Sequence, residues 1–166
     1  MRSIPQTEIY QNKFMEKNIQ NTELLIDIFG KFSSFHDAEV VQITIKRKDD
    51  GEYCPTFNAL ININNHNSGD DFLVDLKFKS IFGLKLENFN HQNVLGDLEI
   101  REFSDKYFEE LKSDDRLLGV VSNPEIERLN LYIKFYYCFG IEAEFLCQSV
   151  SIESVKVLLK EERKIL

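Results

Sequence analysis

The chain reads as an α+β domain in which the sheet dominates: an antiparallel meander, strongly curved sheet or sandwich, with an N-terminal helix and one or two further short helices. Three observations carry that reading. The hydrophobic period switches from helical to alternating across Ser34-Phe35-His36-Asp37-Ala38-Glu39-Val40. About seven alternating runs then follow one another with short turns between them. The 166 residues are 43% hydrophobic and include 14 Phe, enough to bury a core without disulfide or metal. No sequence repeats at a fixed period and no linker divides the chain. One domain over 1–166 is expected, with 1–20 a candidate loosely packed N-terminal extension.

Taken in order, Thr7 to Lys17 is a weak helical pattern with Ile9, Tyr10, Phe14 and Met15 on one side. Residues 22–29 are a better helix. Thr22 is positioned to cap it, Leu24, Leu25, Ile28 and Phe29 form its apolar stripe, and Gly30 suits the left-handed residue that ends it. Val41, Ile43 and Ile45 begin the alternation, and Lys46-Arg47-Lys48 run out to solvent before the turn at Asp49-Asp50-Gly51. Phe57, Ala59, Ile61 and Ile63 make a second strand; Phe72, Val74, Leu76 and Phe78 a third. A fourth runs near Phe82, Leu84 and Leu86, where Gly83 marks a bulge, and a fifth holds Leu98 and Ile100. Ser104 is placed to cap a helix holding Tyr107, Phe108 and Leu111. Leu129, Leu131, Ile133, Phe135 and Tyr137 then alternate, answered by Ala143, Phe145 and Cys147. A three-residue loop pairs Phe135 with Phe145 and Ile133 with Cys147, apolar against apolar. Ser149 to Val157 suits either an extension of the sheet or a short basic helix.

The net charge is −8, with a pI of about 5.0. A nucleic-acid binder normally carries the opposite sign, so no nucleic-acid partner is expected; an acidic surface suits a basic partner or serves solubility alone. No apolar run approaches the ~20 residues of a membrane span. Met1 to Gln6 lacks the apolar core of a signal peptide, and the three cysteines, Cys54, Cys138 and Cys147, form no CxxC spacing. A cytoplasmic, reduced protein with all three thiols free is expected, Cys138 and Cys147 lying on opposite faces of their hairpin.

His36, Asp37 and Glu39 are the first candidates for chemistry. An imidazole and two carboxylates are metal-ligand types, and the same residues could serve as acid and base. Their spacing opposes this. In an extended segment Asp37 and Glu39 share one face while His36 points to the other, and the remaining histidines, His66 and His91, fall in loops. The reading that fits better is structural: Phe35 plugs the core, Asp37 accepts backbone N–H groups at the turn and His36 donates to a carbonyl. No GxSxG elbow or phosphate-cradling Gly-rich loop occurs. The amides of Asn88 to Asn93 read as loop-formers. No cofactor and no catalytic residue is assigned. The competing classes are an enzyme or metal site built on His36, Asp37 and Glu39 with His66 or His91, and a small-molecule module with an apolar site between sheet and helix.

Charge is less evenly spread than composition suggests. Residues 97–115 hold eight carboxylates against Arg101, Lys106 and Lys112, a net −5. A charge run is usually a solvated face. One this concentrated, with aromatics inside it, makes a candidate partner surface of Glu102, Asp105, Tyr107, Phe108, Glu109, Glu110, Asp114 and Asp115.

Four stretches carry a family resemblance: Phe35-His36-Asp37-Ala38-Glu39; Phe82-Gly83-Leu84-Lys85-Leu86; Phe89-Asn90-His91-Gln92-Asn93 followed by Asp97-Leu98; and Gly140-Ile141-Glu142-Ala143-Glu144-Phe145. Together, over about residues 30–150, they resemble the immunity protein 50 family of bacterial polymorphic toxin systems. The resemblance implies a cytoplasmic protein that binds and silences a cognate toxin domain, with no catalytic residues of its own. The family's motif residues are not carried over as a toxin-binding site.

Overall fold

The computed structural model describes residues 16–32, 35–48, 54–66, 68–103 and 129–159. Alternation decides most of the architecture. Nine strands among these residues join in one sheet: β1 (Ile19–Gln20), β2 (Glu39–Lys46), β3 (Thr56–Asn65), β4 (Asp70–Lys79), β5 (Phe82–Glu87), β6 (Val94–Glu102), β7 (Leu131–Phe139), β8 (Glu142–Cys147) and β9 (Ser149–Leu158). Their spatial order is β1-β9-β4-β3-β2-β6-β7-β8-β5. Every pairing is antiparallel except β1 with β9, which is parallel and spans two residue pairs. The result is sheet-dominant, as the alternation indicates, but not a simple meander, since β9 returns to β4 and β5 closes the far edge on β8.

Residues 16–18 are helical, and α1 spans Glu23–Phe29. Gly30 ends α1 at φ 72°, its N–H donating to the Ile26 carbonyl at 2.8 Å. Thr22 behaves otherwise than expected and makes no side-chain cap bond. It lies in the right-handed helical region, whereas a capping side chain needs an extended backbone to reach forward. Leu25 is fully buried on the helix's inner side, and Phe29 meets Phe72 edge-on at 5.4 Å. The early helix over Thr7 to Lys17 lies almost wholly outside the described residues, as do the turn at Asp49-Asp50-Gly51 and the helix expected after Ser104.

The sheet is curled. β2 and β6 share one ladder pair, Glu39 with Val94, so two well-paired halves meet at a narrow seam. In a flat sheet β3 and β8, four places apart in the order, would lie about 19 Å from each other. Yet the rings of Phe57 on β3 and Phe145 on β8 are 5.0 Å apart, and Phe78 on β4 stands edge-on to Phe135 on β7 at 5.8 Å. The halves therefore face one another across a shared core. All four rings are buried, as are Ile61, Leu76, Leu98, Ile100 and Ile133 beside them.

The β7–β8 register differs from expectation. Phe135 pairs with Ala143, Ile133 with Phe145 and Leu131 with Cys147, a shift of two residues. An even shift preserves which face each side chain occupies, so the hydrophobic pattern could not distinguish the two registers. Long-range contacts select one: beyond Phe135, β7 continues along β6, where Phe139 lies opposite Val94. Tyr137, expected as the last member of the apolar row, is exposed. Ser149 to Leu158 is a strand throughout.

Candidate functional site

The seam between the halves is built from the helix-to-sheet stretch. The Asp37 N–H donates to the Leu95 carbonyl at 3.0 Å, the Val40 N–H to Asn93 at 2.8 Å, and the Leu95 N–H to Ala38 at 2.8 Å. Phe35, Ala38 and Val40 are buried beneath these bonds, and Glu39 forms the single ladder pair. Asp37 contributes through its backbone. Its φ is 61°, a left-handed conformation that Asp tolerates better than most residues. Its carboxylate is exposed and accepts from His36 Nδ1 at 2.9 Å rather than from backbone groups of the turn. No group of three or more His, Cys, Asp or Glu able to hold a metal exists among the described residues, so Glu39 is not gathered with His36 and Asp37. His66 and His91 stand exposed in their loops.

This geometry gives the junction a specific test. Asp37→Ala should lower stability by about 1–2 kcal/mol, because alanine pays the full left-handed penalty. Asp37→Gly should be at least as stable as the alanine variant, since glycine adopts positive φ without steric cost. Urea unfolding of the two variants decides it; an alanine variant more stable than the glycine one contradicts a backbone role.

A second motif stretch locks against the first. In the 88–93 loop, Asn93 Oδ1 accepts the Asn90 N–H at 2.9 Å and Asn93 Nδ2 donates to the Asn90 carbonyl at 2.6 Å. Asn90 Oδ1 accepts the Gln92 N–H at 2.8 Å. The amides are spent on holding the loop, as read from the sequence. Gly140, at the head of the last of the four stretches, lies so close that an added Cβ would be 2.2 Å from the Gln92 carbonyl oxygen and 2.8 Å from Asn93 Oδ1. The remaining stretch, in β5, pairs with β8 beside it, with a register shift between Phe82 and Lys85 that includes Gly83. Three of the four resembling stretches thus converge on the seam and the hairpin beside it, and the fourth borders them.

Of the acidic run, residues 104–115 lie outside the described residues. This takes in Asp105, Tyr107, Phe108, Glu109, Glu110, Asp114 and Asp115. Within the described part, Glu99 is buried and occupied: Tyr136 donates its hydroxyl to Glu99 Oε2 at 2.7 Å, and Arg101 Nε bonds the other oxygen. Glu99 belongs to a row of alternating sign across four strands, Glu99-Lys134-Glu144-Lys85. Glu102, at the end of β6, is exposed.

A shallow groove of about 200 Å³ lies on β2–β4, lined by Gln42, Thr44, Lys46, Asn58, Leu60 and Asp75. It is smaller than the roughly 300–1,000 Å³ of a usual small-molecule site. It also differs from the apolar site between sheet and helix that a small-molecule module would need.

All three cysteines are free. Cys147 is buried opposite Leu131, Cys138 is exposed, and Cys54 Sγ approaches Ser80 Oγ at 3.3 Å. Burial pushes the Cys147 thiol far above its ordinary pKa, so it stays protonated and unreactive. Alkylation of the folded, unreduced protein should label Cys138 first and Cys147 only after unfolding. Mass spectrometry reads the order, and a 138–147 disulfide would contradict the observed register.

Sequence reasoning missed the exposed aromatics at the end of β7. Their signal was present: Tyr136-Tyr137-Cys138-Phe139 puts aromatics on successive positions, whereas a half-buried strand alternates apolar with polar.

Fold and site together define a protein built on a curled, mostly antiparallel sheet, whose motif residues hold backbone segments together rather than line a pocket. A family model described as Immunity protein 50 matches residues 21–158, and the chain belongs to that family, an immunity protein of toxin systems. No curated protein and no solved structure matches the chain. No described helix is long and apolar enough to cross a membrane.

Proposed function

We propose that this protein binds a cognate bacterial toxin domain in the cytoplasm and neutralises it by occupying its surface, without catalysis of its own. The observation that carries this is the family match over residues 21–158. The junction geometry supports it: the motif residues are consumed in closing the sheet, which leaves the protein's outer surface for a partner.

The charge distribution suggests what the toxin surface is like. The −5 of residues 97–115 is most of the total −8, so the field is local. A toxin that attacks nucleic acid or its precursors tends to present a basic site, because phosphates require one. Glu102, Asp105, Glu109, Glu110, Asp114 and Asp115 would steer such a surface, with Tyr107 and Phe108 in contact. Steering of this kind raises association rates by roughly 10–1,000-fold and weakens with salt.

Changing Glu109, Glu110, Asp114 and Asp115 to Lys should slow association with the toxin by at least about tenfold at low salt and remove its salt dependence. Stopped-flow measurements at two ionic strengths check this, with circular dichroism confirming the fold. An unchanged rate together with a salt-independent parent would make the acidic run a solvated face.

A further inference from the structure

We propose that the exposed end of β7, Tyr137 and Phe139 with Phe89 on the neighbouring loop, is the apolar anchor on which a basic protein surface docks. The partner's identity rests on the immunity reading above; the existence and character of the surface rest on the structure. β7 is buried through Phe135 apart from half-buried Lys134, and then exposed at four consecutive residues. Tyr137 is 60% exposed, Phe139 61%, Phe89 47% and Tyr136 37%. Scattered exposed aromatics need no explanation; a contiguous group does.

Contiguity follows from the register. Tyr137 lies opposite Leu95, and Phe139 opposite Val94. The loop carrying Phe89 is pinned at both ends beside them, by Glu87 opposite Glu142 and by the close approach of Gln92 and Asn93 to Gly140. The arm is also fixed in place. The ladder shifts at Gly96, where a Cβ would stand 3.3 Å from the Tyr137 carbonyl, and such bulges re-aim side chains. Tyr136 is held by its bond to Glu99, with Lys134 Nζ 4.8 Å from its ring centre. Rigid aromatics cost little entropy on binding, and tyrosine is over-represented among residues that dominate interfaces.

Charge selects the occupant. Residues 86–98 and 135–146 contain no Lys or Arg but four carboxylates, Glu87, Asp97, Glu142 and Glu144. Glu144 lies in the alternating row, and Lys85 reaches Glu87 at 3.2 Å. Glu142 has no ion-pair partner among the described residues and stands directly opposite Glu87. Like charges placed so weaken a ladder, and a cation supplied by a partner relieves them. A second copy of this chain docking through the same face would bring the same acids to the same place. Glu142 and Glu144 share the face of Lys134 and Tyr136 and so border the aromatics from the other side of the same sheet end; the complementary occupant is an apolar patch with Lys and Arg along one edge, on the toxin domain.

The experiment uses the full chain and the toxin domain encoded by the neighbouring gene, with affinity read by calorimetry. Tyr137→Ser combined with Phe139→Ser should weaken binding by about 100-fold while leaving thermal unfolding unchanged, because both side chains are already exposed. Tyr137→Phe with Phe139→Leu keeps the apolar bulk and should restore most of the affinity. Glu142→Lys should slow association and flatten its salt dependence. If the parent binds and the serine pair binds equally well, the docking proposal is overturned while the immunity reading stands. A parent that binds nothing overturns both. A concentration-dependent dimer of the parent that the serine pair abolishes overturns the proposal in favour of self-association.

Discussion

Phe57→Ala is expected to lower stability by about 3–5 kcal/mol, the usual cost of emptying a fully buried aromatic position. Against a typical total of roughly 5–15 kcal/mol, that brings the protein close to unfolding. The size of the effect comes from position. Phe57 meets Phe78 on its own half of the sheet edge-on at 5.8 Å, and on the other half Phe135 edge-on at 5.8 Å and Phe145 with tilted rings at 5.0 Å. Removing it empties the point where the halves touch. Chemical denaturation measures the loss, and a double-mutant cycle with Phe145→Ala isolates the contact across the curl. A coupling of about 0.5–1.5 kcal/mol is expected for rings in contact. Strict additivity is what a flat sheet, with the two rings far apart, would give, and it would contradict the fold.

Gly140→Ala should cost about 2–5 kcal/mol, from two sources that act together. The backbone at Gly140 has φ 87°, where an L-residue meets a penalty of roughly 1–2 kcal/mol. The new methyl would also lie 2.2 Å from the Gln92 carbonyl oxygen, and that atom is backbone, so the loop itself must move; overpacking of this kind costs roughly 1–3 kcal/mol. The displaced loop carries Asn93, whose carbonyl accepts the Val40 N–H across the seam. Hydrogen exchange should therefore speed up at Val40 and Leu95 as well as in residues 90–93. A variant with unchanged melting temperature and unchanged exchange at Val40 would show that the hairpin and the seam are not coupled.

These two positions also show what the sequence could and could not convey. Phe57 was legible as a core residue because Phe57, Ala59, Ile61 and Ile63 alternate with Asn58 and Asn62; period two is a local property. That it meets Phe145 is not local. It depends on which strands close the sheet, and β9 beside β4 or β5 beside β8 leaves no trace in spacing. The same limit explains the β7–β8 register, where a shift of two preserves every face. Gly140 was readable as a turn residue, but its contact with Gln92 comes from a segment far away in sequence. At the junction, the charged cluster was visible and its structural role was the favoured reading. The agent is Asp37's backbone rather than its carboxylate, because a left-handed φ is not written in the side chain's charge. The exposed end of β7 was hidden by its own composition, since Tyr137 continues a clean apolar row and only solvent exposure separates it from Phe135.

The most direct test of the proposed function is a neutralisation titration. The purified protein is added stepwise to the toxin domain encoded beside it, and residual toxin activity is followed. Activity should fall to baseline at a fixed molar ratio, with a complex that survives gel filtration at moderate salt. Toxin that stays fully active in excess folded protein would contradict the proposed function.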